Sequence, residues 1–474
     1  MSGLISSLLA NSKALSAQSR GVETAGRNMA NVNNANYARQ RVELGDRGTI
    51  MTGKGPEGTG IEAMGITQLR DSLLDQQVLR EVSLKAALGT SQSGLQKAQA
   101  GLGEQIDNAS SSDSASSATD GSHGIAASLT DFFNAFQSFA GNPTDVGERQ
   151  TLVQQAGILT DRIQLTDTRL SQTQSDLTAQ ATGDVATVNT DLQNIADLND
   201  QIARFERNAP GSAVDLRDKR QAALEDLAGK ISFETCPQPG VAGQIQVFAY
   251  DSTGAKVVLV DGKNVTGPVT FDGTNVQAGA TPTMLALSGG SIKGALDTRD
   301  GAVQTLRNNI DTLAAQLVTS VNAAYNPTGA TGYFFDPTGT TAGSIQLAGG
   351  LTASNLKASD GGAAGDNTVA LAVANLANRK FSVAGGDLID GTLSQHYSSA
   401  VTDLGQTLSG VNSRVSDETN IETLVRAQRD AVSGVSLDEE TADLMKYQRA
   451  FQASSRVIQA IDSMLDTVIN RLGS

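Results

Sequence analysis

Residues 437–472 read LDEETADLMKYQRAFQASSRVIQAIDSMLDTVINRL and decide the fold at the C-terminal end of the chain. Apolar or small residues recur there in alternating steps of three and four, at Leu444, Tyr447, Phe451, Ser454, Ile458, Ile461, Leu465, Val468 and Leu472. This heptad spacing predicts one long amphipathic helix with a packing seam. Ser436 followed by Glu439 is a capping-box pattern that predicts where the helix begins. At 1.5 Å per residue, a helix of about 36 residues would be ~54 Å long.

The N-terminal segment carries a weaker stripe of the same kind. Leu8, Leu15, Val22 and Met29 fall seven residues apart. So thin an apolar stripe cannot hold an isolated helix together in water. We therefore predict that this helix pairs with the C-terminal one, which makes the rest of the chain an insertion between them. The alternative is that both stripes pack onto a globular core.

The interior alternates between helical and β-type patterns. Gly-rich residues 48–60 separate two short strands, and we predict strands at 41–44, 60–69, 244–250, 256–260 and 269–271. The low-complexity loop 110–122 interrupts the helical patterns. Those patterns cover residues 71–107, 127–139, 148–182, 185–207, 216–231 and 292–324. Residues 326–390 are rich in Gly, Thr and Asp and predict only short strands.

These patterns predict a mainly α fold with β-rich inserts. We expect an elongated, multidomain protein in which the N- and C-terminal helices pair as a coiled coil, with a helical bundle as the middle domain and an outward β domain. The chain divides into an N-terminal helix with a β-hairpin, a first helical part, a β-rich insert, a return helix, a Gly/Thr-rich insert and the C-terminal helices. Their predicted ranges are 1–70, 71–232, 233–290, 291–325, 326–392 and 393–474.

Composition excludes several classes of function. The net charge is −15 and no basic cluster interrupts the acidic excess, so nucleic acid is not an expected partner. No run approaches the ~20 apolar residues of a membrane span, and the segment after Met1 lacks the basic and unbroken apolar regions of a signal peptide. Cys236 is the only cysteine, which rules out a disulfide within the chain.

Chemistry-bearing residues form no catalytic or metal-binding pattern. His123 and His396 stand far apart without a Cys or carboxylate cluster at ligand spacing. Residues 53–60 are glycine-rich but lack the Gly-Lys-Ser/Thr of a phosphate loop. Asp438, Glu439 and Glu440 stand at a predicted helix N-terminus, where the helix dipole favours acids. We therefore expect a protein that is not an enzyme and has no cofactor.

One motif near each end resembles a known group. The first is Ala30-Asn31-Val32-Asn33-Asn34-Ala35-Asn36-Tyr37-Ala38-Arg39, and the second is Gly434-Val435-Ser436-Leu437-Asp438-Glu439-Glu440. Both resemble the axial proteins of the bacterial flagellum, whose N-terminal motif has the form A-N-V-N-T-P-G-Y-x-R. The chain departs from it at residues 34–36, where Asn36 could take the left-handed position of the usual glycine.

Interior segments narrow the resemblance to the hook-associated protein 1 family. They are residues 129–136, 142–143, 198–202, 215–220 and 292–300. The resemblance implies a structural component at the hook–filament junction, exported by the flagellar type III apparatus without a cleaved signal peptide. It also implies partners: copies of itself in a ring, the hook protein, the next hook-associated protein and an export chaperone on the C-terminal helix.

Two sets of residues follow for assembly. The predicted assembly seam comprises Leu8, Leu15, Val22, Met29, Leu444, Tyr447, Phe451, Ile458, Ile461, Leu465, Val468 and Leu472. The family motif comprises Ala30, Asn31, Val32, Asn33, Tyr37, Arg39, Asp438, Glu439 and Glu440. Alternative interpretations are a hook or flagellin-like axial protein, a secreted surface adhesin, and a phage-tail or secretion-needle component.

Overall fold

A computed structural model describes residues 2–46, 48–52, 55–58, 60–103, 124–329, 332–363 and 365–467. The helices are α1 (Ser2–Ala30), α2 (Ser72–Leu102), α3 (Ile125–Gly141), α4 (Val146–Phe205), α5 (Val214–Ala228), α6 (Gly290–Asp297), α7 (Gln304–Tyr325), α8 (Thr368–Ala374), α9 (Leu393–Ser433) and α10 (Leu437–Asp466). A π-helical segment, Thr298–Val303, joins α6 to α7, and Asn375–Asn378 and Val383–Gly385 are short 3-10 helices. The predicted mainly α fold is confirmed.

Small antiparallel sheets complete the described structure. The strands are β1 (Gln40–Asp46), β2 (Thr49–Thr52), β3 (Gly55–Gly58), β4 (Ile61–Gln68), β5 (Glu234–Pro237), β6 (Ile245–Tyr250), β7 (Lys256–Asp261), β8 (Asn264–Val265), β9 (Thr270–Phe271), β10 (Val276–Ala278) and β11 (Thr283–Met284). They pair as β1–β4, β2–β3, β5–β6–β7–β8 and β11–β10–β9. A bulge between Glu43 and Leu44 shifts the β1–β4 register by one residue.

The chain folds into two compact units. The first contains residues 1–86, 184–290 and 418–474. In it α1 packs along α10, which confirms that the terminal helices pair. The buried side chains of its β-rich part include Val247, Leu259 and Val260. These lie on β6 and β7, which the sequence predicted as strands at 244–250 and 256–260 and which pair as a hairpin.

The second unit contains residues 87–183 and 291–417. Its core contains many of the chain's few aromatic side chains. The ring centroids of Phe132 and Phe136 lie 5.1 Å apart, and those of Phe136 and Phe334 also lie 5.1 Å apart. The first pair is edge-to-face and the second is tilted, and aromatic pairs at these distances stabilise a core beyond the area they bury.

The predicted break between residues 182 and 185 is wrong, because α4 is one continuous helix of 60 residues that includes them. A helix interior tolerates one glycine at a cost of ~1 kcal/mol, and Gly183 has open space around it. The next residue, Asp184, accepts a 2.8 Å bond from Lys230 Nζ. This ion pair fixes α4 at the point where the sequence predicted a gap.

The predicted strands of residues 326–390 are also wrong in the part that the structure describes. Only isolated bridges occur there, between Phe335 and Leu347 and between Phe381 and Gly391. The segment contains α8 instead, whose Val369 and Val373 are buried in the second unit's core. A helix of 7 residues is too short to show a clear period in the sequence. The predicted loop 110–122 lies outside the described residues.

Candidate assembly site at the two chain ends

The Asn28 amide joins the two ends of the chain. It lies in the last part of α1 and is 1% exposed. Its Nδ2 donates to Gln40 O at 2.9 Å and to Glu440 Oε2 at 2.9 Å. Its Oδ1 accepts bonds from Gln40 N at 3.0 Å and from the Tyr37 hydroxyl at 2.8 Å. One buried side chain therefore links α1, β1 and α10.

Glu440 is the buried carboxylate of the site, at 2% exposure. Besides Asn28 it binds Arg39, whose Nε donates at 2.6 Å. Arg39 also pairs with Glu439 and, at 3.6 Å, with Asp443. Burial opposes the charge of Arg39, but the carboxylates of Glu440 and Glu439 outweigh it and raise the pKa of the guanidinium. These carboxylates thus stabilise the charged form of Arg39.

The start of α10 lies where the sequence predicted it, but the capping box is wrong. Ser436 makes no side-chain cap bond, and only its backbone carbonyl accepts the Glu440 N–H, at 2.9 Å. Glu439 binds Arg39 instead of reaching back to the helix start. Asp438 is exposed. Two of the three acids assigned to the helix dipole therefore hold a cation from the other end of the chain.

The altered motif turn closes through its asparagines. Tyr37 N donates to Asn34 O at 3.0 Å, which completes a four-residue turn, and Asn36 N donates to Asn34 Oδ1 at 3.3 Å. The Asn34 side chain thus forms an Asx turn in place of the family's Pro-Gly. Arg429 Nη2 binds Ala35 O at 3.0 Å, and Arg70 Nη2 binds Asn36 O at 2.9 Å.

A second network of ion pairs, centred on Arg70, also holds this loop. Arg70 pairs with Asp75 at 3.0 Å and with Asp218 at 2.7 Å. Burial raises the pKa of both carboxyl groups, and the Arg70 charge opposes that shift. Asp218 Oδ1 also accepts the Ala38 N–H at 3.3 Å. The motif loop, which is the segment between α1 and β1, is therefore held by Arg70 just before α2 and by Asp218 of α5, as well as by α10.

The helix pair is closest where Gly21 of α1 faces Tyr447 of α10. A Cβ at Gly21 would lie 2.5 Å from Tyr447 Cδ1, so the ring packs directly on the α1 backbone. The most deeply buried residues of this α1 face are small or polar rather than large and apolar. They are Ala17, Gly21, Thr24, Ala25 and Asn28.

Among the predicted seam residues, Tyr447 forms this contact, and the others differ in how far they are buried. Ile461 is buried, whereas Phe451 is 37% exposed. Val468 and Leu472 lie outside the described residues. The half-buried members are Leu8, Leu15, Val22, Met29, Leu444, Tyr447, Ile458 and Leu465.

Several motif residues line a polar cavity of about 380 Å³ between the motif loop and the α9–α10 turn. Asn31, Val32 and Tyr37 line it on one side, and Val435 and Glu439 on the other. Asn31 also donates from Nδ2 to Arg27 O at 3.0 Å. Ala30 and Asn33 are exposed.

The described part of the chain contains no group of three His, Cys, Asp or Glu residues able to hold a metal ion. His123 lies outside it, and His396 Nε2 lies 3.2 Å from Asn309 O. No described helix is long and apolar enough to cross a bilayer.

Comparisons with known proteins show similarity to flagellar axial proteins. Residues 111–332 match the sequence model of the flagellar hook-associated protein FlgK helical domain, and residues 427–472 match that of the flagellar basal body rod FlgEFG protein C-terminal region. Flagellar hook-associated protein 1 of Bacillus subtilis (strain 168) is 26% identical over 514 residues, which cover 97% of each chain. The chain is thus similar to flagellar hook-associated protein 1 over almost its whole length.

Other hook-associated protein 1 relatives are similar along their whole length. The Escherichia coli (strain K12) protein is 23% identical over 568 residues, covering 99% of this chain and 100% of the relative. A solved structure, that of the flagellar hook junction protein FlgK from Burkholderia pseudomallei, shares the fold with a TM-score of 0.60. It is 14% identical and covers 76% of this chain and 100% of that one.

Sequence reasoning found Tyr37, Arg39, Glu439 and Glu440 of this site but missed Asn28. The heptad treats an asparagine in α1 as an ordinary interruption of the stripe. The available signal was its position, seven residues after Gly21 and on the same face, where a polar group among small residues needs a partner.

Proposed function

We propose that this chain is a hook–filament junction subunit that assembles through its paired terminal helices. Its similarity to flagellar hook-associated protein 1 supports a structural role in the bacterial flagellum. The observation that carries the assembly mechanism is the network of Asn28, Arg39 and Glu440, which binds the motif loop to α10. With the chain ends fastened together, a load applied to one terminal helix passes to the other.

Exposed apolar side chains on the paired helices support lateral packing against neighbouring copies. Ile5 and Leu9 of α1 and Met445, Val457 and Met464 of α10 are exposed. Fully burying a side chain of this size contributes about 1.5–3 kcal/mol. Neighbouring subunits would bury these side chains, together with the predicted seam residues, as an inner layer. The interior helices and the β-rich inserts would then form the outer layers.

The partners of the assembly follow from the same proposal. The chain self-associates in a ring, with the hook protein on one side and the next hook-associated protein on the other. A subunit outside the assembly leaves the apolar faces of its terminal helices exposed, and an export chaperone on the C-terminal helix would cover them before assembly. The chain acts as a mechanical link and not as an enzyme, in the extracellular flagellum.

The experiment is complementation of a deletion strain with a variant of the exposed α10 face. In Met445→Ser plus Val457→Ser, both changed side chains point away from the monomer's core. We expect normal folding and secretion but far fewer hooks that carry a filament in electron micrographs. Val241→Ser changes an exposed apolar residue outside the helix pair and serves as the control. Full filament attachment with the double variant contradicts the proposal.

A further inference from the structure

Arg220 of α5 is a buried cation without a charge partner. It is 8% exposed, and its Nη1 donates to Asn199 Oδ1 at 2.8 Å and to Gly243 O at 2.6 Å. Both acceptors are neutral oxygens. Among the described residues no carboxylate forms an ion pair with this guanidinium. A buried charge without a counter-charge is costly, so the site is electrostatically incomplete as it stands.

The neighbouring arginines do not share this deficit. Arg217 binds Glu206 through two bonds of 2.7 and 2.8 Å. Arg70 binds Asp75 and Asp218. Burial and the like charges of Arg217 and Arg70 together lower the pKa of Arg220 to about 10, against the opposing effect of the Glu206 charge. Arg220 remains cationic at neutral pH.

A cavity of about 330 Å³ lies against these guanidinium groups, between the start of α2, α5 and the β5–β6 pair. Arg70, Arg217 and Arg220 line it, and Asp75 is the only acid among its lining residues. Further polar groups line the cavity: Ser72, Gln76, Gln221 and Thr235. The volume is at the lower end of the range for small-molecule pockets.

One hydrogen-bond donor in this cluster of arginines has no acceptor. Nε of Arg70 is buried and has no hydrogen-bond acceptor. Guanidinium groups bind carboxylates and phosphates through paired, planar N–H donors. A buried guanidinium without a carboxylate of its own, an unsatisfied Nε donor and a small cavity together suit a compact anion with two or more oxygen atoms.

We propose that this cavity binds a small oxyanion of the carboxylate or phosphate type, with Arg220 as its charge partner. The anion has two possible sources, a free ion or an acidic side chain of a second copy of the chain, whose net charge is −15. Residues 215–220 belong to the interior segments that carry the sequence resemblance, and they supply Arg217 and Arg220 to this site.

The test titrates the full chain with inorganic phosphate, and separately with acetate, at constant ionic strength against chloride. Calorimetry should show one saturable site per chain. Arg220→Gln should weaken binding at least tenfold, whereas Arg207→Gln, which changes an exposed arginine, should leave it unchanged. No saturable binding to the unmodified chain, or equal binding to both variants, overturns the proposal.

A second variant keeps the test decisive if Arg220→Gln fails to fold. Gln76 is exposed and lines the cavity, so Gln76→Glu places a carboxylate there without disturbing the core. We expect unchanged circular dichroism and at least tenfold weaker phosphate binding. Gln96→Glu adds the same charge to an exposed position of the same helix as the matched control. Unchanged phosphate binding by the folded Gln76→Glu chain overturns the proposal.

The two sources of the anion are distinguished by sedimentation of the chain at high concentration. If the anion is an acidic side chain of a second copy, phosphate should lower the associated fraction, and Arg220→Gln should lower it without phosphate. If it is a free ion, phosphate should leave association unchanged while still binding by calorimetry. Both results support the cavity as an oxyanion site and identify its occupant.

Discussion

Glu440→Gln removes the buried charge that joins the chain ends while keeping the shape of the side chain. The carboxylate accepts bonds of 2.6 Å from Arg39 Nε and 2.9 Å from Asn28 Nδ2. A hydrogen bond to a charged group contributes about 1.5–3 kcal/mol, and Arg39 retains Glu439, so we expect a loss of about 2 kcal/mol. That loss corresponds to a roughly 30-fold increase in local opening of α10.

Hydrogen exchange of the α10 amides followed by mass spectrometry measures this opening directly. The matched control is Glu439→Gln, which changes a side chain that is 62% exposed and pairs with the same arginine. Exposed ion pairs contribute about 0–1 kcal/mol, so this variant should change exchange only a few-fold. Equal protection of α10 in the unmodified and Glu440→Gln chains, or equal loss in both variants, would refute the role given to the buried carboxylate.

Two further substitutions test the helix pair and the acid sensitivity of the first unit. Gly21→Ala should displace the Tyr447 ring and destabilise α1 against α10 by about 1–3 kcal/mol, whereas Gly26→Ala, with open space around it, should stabilise by about 0.5–1 kcal/mol. Urea unfolding measures both, and equal effects would show that the ring does not pack on Gly21. Burial opposes the charge of Glu206, but Arg217 and two backbone N–H groups outweigh it and lower its pKa. Its stabilising contribution is therefore complete above the unfolded value of 4.5 and is lost as the pH falls through the lower folded pKa. Glu206→Gln should accordingly be less sensitive to acid in urea titrations between about pH 3 and pH 7, and an unchanged acid limb would contradict this assignment.

Local patterns predicted the elements that are long and periodic. The heptad from Leu444 to Leu465 lies in α10, and the start of that helix after Ser436 was placed correctly. Short β-type runs between turn residues likewise placed β6 and β7. Such patterns depend on residues a few positions apart, and these distances are what a single sequence displays.

Long-range partners escaped the same reasoning. Glu440 binds Arg39 across 401 residues and Asn28 across 412, so no local spacing connects them. The helix dipole accounted for the acids at the start of α10 and left no reason to look for a cation. The short helix α8 was missed for a related cause, because buried contacts of Val369 and Val373 rather than its sequence period hold it.

The altered motif turn shows where a departure from a family pattern can be compensated. Asn34 closes the turn with its own side chain and backbone. Arg429 of α9 donates to the Ala35 carbonyl, and Arg70, just before α2, donates to the Asn36 carbonyl. None of these bonds requires the proline or glycine of the motif. The sequence identified the departure, but only the fold brings the arginines to it.

Truncation after Glu439 tests the central claim, that the chain assembles through its paired ends, most directly. The shortened chain, which lacks residues 440–474, is compared with the full chain by thermal melting and by complementation of the deletion strain. The account predicts a soluble chain that still melts cooperatively, because the core of the second unit is untouched, but leaves hooks without attached filaments. Attached filaments and normal swimming with the truncated chain, or loss of all cooperative melting, would contradict it.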